Sequence, residues 1–131
     1  GTVLVWYAGF EKARNSEMAT MLPGYRQEMD AINERIVDLM VPFQKKWYED
    51  PRFEGSVSIK KVLPVLCPEL LYKSLGIQEG AAAQRLWMEA VLDETRRDEK
   101  DQILSDLTEY CKLDTLAMVE IYNKLRKAVN S

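Results

Sequence analysis

Glu11 stands just past an apolar run, Thr2-Val3-Leu4-Val5-Trp6-Tyr7-Ala8, and the strand-stopping Gly9. A carboxylate fixed where a strand ends and a helix begins sits where open α/β sheets place their ligands, and it suits a metal ion. Glutamate in a first helical turn is also favoured by the helix dipole with no ligand present. The second acid, Asp114, follows Tyr110 by four residues in Tyr110-Cys111-Lys112-Leu113-Asp114. On a helix that spacing puts both side chains on one face. A phenol beside a metal-binding carboxylate can orient a water for attack on phosphorus. The plain alternative is a half-buried tyrosine, with Asp114 capping a new helix that starts at Thr115.

Phosphate and base contacts point to another segment. Residues 44–61 carry five Lys/Arg against three Asp/Glu, with Trp47, Tyr48 and Phe53 interleaved. Cations among exposed aromatics hold single-stranded nucleic acid by phosphate contact and stacking. If the aromatics are core instead, the lysines are simply solvated. Residues 89–106 show the opposite balance, seven acids against three bases. Gly55-Ser56-Val57-Ser58-Ile59-Lys60-Lys61 lacks the spacing of a P-loop. Its Ser56 and Ser58 hydroxyls and its Lys60 and Lys61 ammonium groups still suit a phosphate.

Other chemistries are excluded by composition. Histidine is absent from the 131 residues, so no Ser-His-Asp or Cys-His arrangement and no histidine-ligated metal can form within the chain. Cys67 and Cys111 lack CxxC spacing and are too few for a cysteine-only zinc site. One disulfide is compatible with them, but isolated cysteines in apolar surroundings are more often buried reduced thiols. The formal net charge of −3 argues against coating nucleic acid through bulk charge. A composition 47% hydrophobic and 30% charged is that of an ordinary globular domain, and the length suits a single domain over 1–131. No apolar run approaches a membrane span and no charged leader precedes Val3, so a cytoplasmic protein is expected.

These residues must be held by elements the pattern suggests. Val3 to Ala8 reads as a strand, apolar on both faces, that needs a partner strand from another chain or from sheet upstream. A chain opening directly on a strand is expected to continue upstream. Phe10 to Leu22 reads as a helix stopped by Pro23-Gly24. Tyr25, Met29, Ile32, Ile36, Leu39 and Met40 recur at helical steps, predicting a second helix as far as Pro42. A further turn is expected at Phe43 to Tyr48, and short helices over Ser58 to Leu63, ended by Pro64, and from Pro68 through Leu71 and Tyr72. Ala81 to Leu92 is helix-prone, 93–101 is a charged connection, and from Ile103 the longest helix begins, with a break near Leu113-Asp114. The methionines fall mostly on apolar faces and read as core. The fold class expected is α+β, mainly helical: one N-terminal strand and about five helices.

Four blocks carry a resemblance to a known family. They are Tyr7-Ala8-Gly9-Phe10-Glu11-Lys12, Arg35-Ile36-Val37-Asp38-Leu39, Gly55 through Pro64, and Tyr110 through Val119. They resemble the bacterial domain of unknown function 2779 family, which in turn looks like the C-terminal part of an RNase H-like 3′–5′ exonuclease of the DEDDy type. That resemblance implies a truncated RNase H-like fold and two Mg²⁺ or Mn²⁺ ions held by four carboxylates from three motifs. Tyr110 and Asp114 match its Tyr-x-x-x-Asp motif. Glu11, preceded by Phe10, matches the strand-to-helix carboxylate, although the family usually has Asp there and an Asn near the position of Trp6 or Tyr7. The first motif, a strand bearing Asp-x-Glu, is missing, and Asp93-Glu94 offers no substitute.

The resemblance therefore implies metal ligation by Glu11 and Asp114, water placement by Tyr110, and substrate contacts at Phe10, Ser56, Ser58, Lys60 and Lys61. The reaction would be hydrolysis of phosphodiester bonds in nucleic acid, with this chain alone inactive. Glu11 and Asp114 must then converge to within about 8 Å, given metals about 3.5–4 Å apart in two-metal sites. The competing expectation is a non-catalytic helical interaction module, with Tyr110 in the core and Glu11 turned away from Asp114. A homodimer through the N-terminal strand is a further expectation.

Overall fold

The structure, a computed structural model, describes residues 1–70, 75–93 and 95–130. The expected helix from Pro68 through Leu71 and Tyr72, and Glu94 of the Asp93-Glu94 pair, lie wholly or partly outside the described residues.

β1 (Val3–Val5) is short, and its β-branched residues pair in parallel with β2 (Ile36–Asp38) in the register Val3↔Ile36, Leu4↔Val37, Val5↔Asp38. The Val3 amide donates to the Arg35 carbonyl and the Leu39 amide to that of Val5, each at 2.9 Å. Parallel strands need a crossover, and here it is a helical hairpin. Its arms are α1 (Ala8–Met21) and α2 (Arg26–Glu34), joined through a turn at Pro23–Tyr25. Asn15 Nδ2 donates to Asn33 Oδ1 at 2.9 Å and Asn33 Nδ2 to the Lys12 carbonyl at 3.4 Å, tying the arms together.

β2 corrects the expected second helix, which stops at Glu34 rather than reaching Met40. Ile36 and Val37 are β-branched and favour extended backbone, and pairing with β1 satisfies their peptide groups. The opening strand thus finds one neighbour within its own chain. Among the described residues it has no other.

After β2, α3 (Val41–Gln44) is a single turn with Pro42 in its first turn, where a missing amide costs nothing. α4 (Ile59–Leu66) runs past Pro64, against the expectation that proline would end it. Pro64 and Lys60, whose carbonyl it leaves without a donor, both face solvent, so water can take the bond. α5 (Gly80–Trp87) continues into a π-helical turn over Met88–Leu92. α6 (Lys100–Asn130) is unbroken, so Asp114 lies within a helix and no new helix begins at Thr115. It contains no glycine or proline, and its 31 residues span about 46 Å. No helix among the described residues is long and apolar enough to cross a membrane.

The core lies where α4 and the middle of α6 meet the chain that follows β2. Leu39, Phe43, Phe53, Val62, Leu63, Leu66, Cys67, Ala117 and Ile121 are buried together, with Leu4 and Trp6 packed against them. Phe43 is the hub of an aromatic group, with ring centroids 5.4 Å from Trp6, 5.6 Å from Tyr48 and 5.7 Å from Phe53. Both cysteines are free, Cys67 buried as expected and Cys111 exposed, contrary to that expectation. Cys111 lies on a face of α6 that no described element covers. Met18, Met21 and Met88 are likewise exposed rather than core, whereas Met40 is buried.

Candidate functional site

The turn from β1 into α1 is built on an unusual backbone. Tyr7 adopts φ 71° and ψ 76°, a left-handed conformation that costs a non-glycine residue of order 1–3 kcal/mol. It is held there from β2. Asp38 Oδ1 accepts from the Tyr7 amide at 3.0 Å and Oδ2 from the Ala8 amide at 2.8 Å. The same Oδ1 also accepts from the Met40 amide at 2.9 Å. One carboxylate therefore clamps the ends of both strands and satisfies amides at the start of α1. The Tyr7 carbonyl in turn accepts from the amides of Phe10 and Glu11. Glu11 is thereby fixed in the first turn of α1.

Sequence reasoning gave Asp38 no role. The available signal was the β-branched pair Ile36-Val37 ending at an acid, which marks a short strand terminated by a capping side chain.

Glu11, Tyr110 and Asp114, from opposite ends of the chain, line one open cleft of about 630 Å³. Thr2, Leu4, Val5 and Trp6 form its wall from β1 and the residues beside it, Ile59 comes from the start of α4, and Thr115, Met118 and Val119 continue the α6 face. Trp6 is pinned by its indole N–H, which donates to the Val57 carbonyl at 3.2 Å. Among the described residues no Lys or Arg lines the cleft, so its two carboxylates favour a cation and repel a bare phosphate. Among the described residues no group of three or more Asp, Glu, Cys or His is placed to hold a metal ion. The carboxylates present do not by themselves make up a two-metal set.

Tyr110 is half-buried. Burial, then the neighbouring Asp114 carboxylate, push its phenol above the ordinary value, so at neutral pH it is a protonated hydroxyl and not a base. A folded-state pKa above the unfolded one means that stability is intact below about pH 10 and declines as pH rises through the folded value. Tyr110→Phe is expected to lessen the loss of stability between neutral and strongly alkaline pH, read as melting temperature against pH. An unchanged profile would show that the phenol is not protected.

The other expected substrate contacts are engaged elsewhere. The Ser58 hydroxyl caps α4, accepting from the Lys60 amide at 3.3 Å, and the Ser56 hydroxyl accepts from the Ser58 amide at 3.1 Å. Lys60 pairs with Glu79 at 3.0 Å and Lys61 with Glu54 at 2.8 Å. Phe10 is exposed and lies under Arg14, whose guanidinium carbon is 5.3 Å from the ring centroid. None of these five lines the cleft, although Ile59 brings the start of α4 to its edge.

Comparison with known proteins reaches the first part of the chain most directly. A family described as a domain of unknown function, DUF2779, matches residues 1–58. That stretch holds β1, the Tyr7 turn, Glu11 and Asp38. The chain is 33% identical over 129 residues to the uncharacterized protein MG366 homolog of Mycoplasma pneumoniae, covering 90% of this chain and 19% of that protein. To the uncharacterized protein MG366 of Mycoplasma genitalium it is 31% identical, with the same coverage. To the uncharacterized protein UU173 of Ureaplasma parvum it is 27% identical over 143 residues, covering 97% of this chain and 21% of that protein. The chain thus spans about a fifth of the length of the curated relatives it matches. No solved structure matches it.

Proposed function

We propose that this chain supplies one side of a metal-dependent site that hydrolyses phosphodiester bonds in nucleic acid, in the manner of an RNase H-like 3′–5′ exonuclease, and that further carboxylates come from elsewhere in a longer polypeptide. The observation that carries the reading is the shared cleft. A carboxylate from a strand-to-helix turn and a Tyr-x-x-x-Asp pair from a distant helix line the same cleft. In this reading Glu11 and Asp114 hold Mg²⁺ or Mn²⁺, which would neutralise a phosphate. The protonated Tyr110 hydroxyl holds the attacking water, and the cleft wall keeps the three in register. The 131-residue chain alone is inactive, because two carboxylates are too few to hold both ions.

Mn²⁺ is paramagnetic, so it reports its own location. Weak binding at the cleft is expected to broaden the backbone amide signals of residue 11 and residues 110–115 first, and Glu11→Gln with Asp114→Asn to remove that broadening. Broadening centred on the acidic segment 89–106 instead would sink the reading.

The competing interaction module is favoured by one feature. Trp87, Leu104, Leu107, Cys111, Leu116 and Val119 line an open apolar groove between α5 and α6. The open edge of β1 borders the carboxylate cleft, and we place there any strand pairing between two copies of the chain. Leu4→Pro is expected to return such a dimer to monomer in sedimentation.

A further inference from the structure

The segment 44–61 presents five cations and three aromatics in sequence, and the structure separates them sharply. Phe53 is buried and Tyr48 packs on Phe43. Arg52 is bound to Asp50 at 2.7 Å, and Lys60 and Lys61 hold Glu79 and Glu54. What is left is one turn, Lys45-Lys46-Trp47. Trp47 is 69% exposed, and Lys45 Nζ lies 5.0 Å from its ring centroid. Neither lysine has a carboxylate within ion-pair distance among the described residues.

The backbone of this turn is also unusual. The Trp47 amide donates to the Pro42 carbonyl at 2.8 Å and the Lys46 amide to that of Phe43 at 3.2 Å. These bonds close α3 in a Schellman arrangement with Lys46 left-handed at φ 58°. Glycine is the residue that such a position ordinarily takes. A lysine is held there at a cost, on a turn made rigid by Phe43 on one side and Tyr48 on the other.

We propose that this turn binds single-stranded nucleic acid, with a base stacked on the face of Trp47 that Lys45 leaves open and the adjacent phosphates met by Lys45 and Lys46. The exposed residues around the indole, Gln44, Lys45, Lys46 and Glu49, are polar. One tryptophan side chain among polar sequence neighbours offers far less than the roughly 800 Å² per partner of a stable protein interface. A single aromatic face flanked by two unneutralised cations fits one base and its phosphates. The inference does not draw on the cleft carboxylates, and it stands or falls in the absence of any metal.

The test is fluorescence anisotropy of a labelled oligothymidine dodecamer with the 131-residue chain, at low salt and in chelator. Trp47→Ala is expected to weaken binding about 5- to 150-fold, the span of one stacked base. Trp47→Phe should retain most of the affinity, and Trp87→Ala, which removes another exposed tryptophan, all of it. Lys45→Gln with Lys46→Gly should flatten the dependence of log affinity on log salt by about 1.4, two phosphates at about 0.7 each on a single strand. Lys46→Gly alone should raise the melting temperature while weakening binding, which a merely structural role for the lysine would not do. Absence of binding by the unmodified chain, equal binding by Trp47→Ala, or Trp47-dependent capture by phosphatidylcholine–phosphatidylserine vesicles with none of the oligonucleotide would overturn the proposal. Loss of Mn²⁺ binding at the cleft with oligonucleotide binding intact would count against the hydrolase reading alone.

Discussion

Asp38→Ala is expected to destabilise the chain by about 2–3 kcal/mol in urea unfolding. The residue is half-buried, and its two oxygens accept three backbone amides. A hydrogen bond to a charged group is worth roughly 1.5–3 kcal/mol net. The three do not add, because the Tyr7 amide is exposed and water replaces part of what is lost. Asp38→Asn keeps one acceptor oxygen but turns an amide donor towards an amide donor, so it should recover only part of the loss.

The bonds also hold Tyr7 in its left-handed conformation. Tyr7→Gly removes that conformational cost, so Asp38→Ala should be milder in the Tyr7→Gly background by about 1 kcal/mol in a double-mutant cycle. Simple additivity would show that Asp38 does not act through the turn. The turn sets the direction of Glu11, so Asp38→Ala should also blunt the Mn²⁺ broadening at residue 11 while leaving the fold of α6 intact.

How much of this was legible from the residues differs by element. α6 was legible because Ile103, Leu107, Cys111, Met118, Ile121 and Leu125 recur at helical steps. Only the expected break is absent, since with no glycine or proline nearby one Leu-Asp pair does not interrupt a helix. β2 was not legible, because Ile36, Leu39 and Met40 continue the helical spacing of Ile32. A three-residue strand is too short to show its own period. What makes it a strand is its register with Val3–Val5, a contact between residues more than thirty positions apart. The role of Asp38 was hidden for the same reason, since two of its three donors belong to the other strand's turn. In 44–61 the composition pointed to cations and aromatics but could not say which were committed. Glu79, which takes Lys60, lies on a separate loop, and the burial of Phe53 against exposed Trp47 is decided by the packing around Phe43. The exposed Cys111, on the apolar side of α6, faces a groove that no described element fills.

On the reading proposed for the cleft, the largest functional effects fall on Glu11 and Asp114. In a longer polypeptide that carries this chain and hydrolyses a 3′-labelled single strand, Glu11→Gln and Asp114→Asn are each expected to cut the rate by about 10²–10³-fold, the scale of one preorganised electrostatic group. Both substitutions keep size and remove the negative charge at a solvent-accessible position, so the melting temperature should move little. Glu11 and Asp114 face an open cleft, and neither is buried in the core. Tyr110→Phe should cost less than either, because both carboxylates remain and water keeps part of its place. The double variant should be no slower than the slower single one, since two ligands of one centre fail together rather than in sequence. Independent, multiplying losses would mean that the two acids serve separate sites. Full activity in the double variant would leave the cleft a structural groove, with Glu11 serving only the dipole of α1.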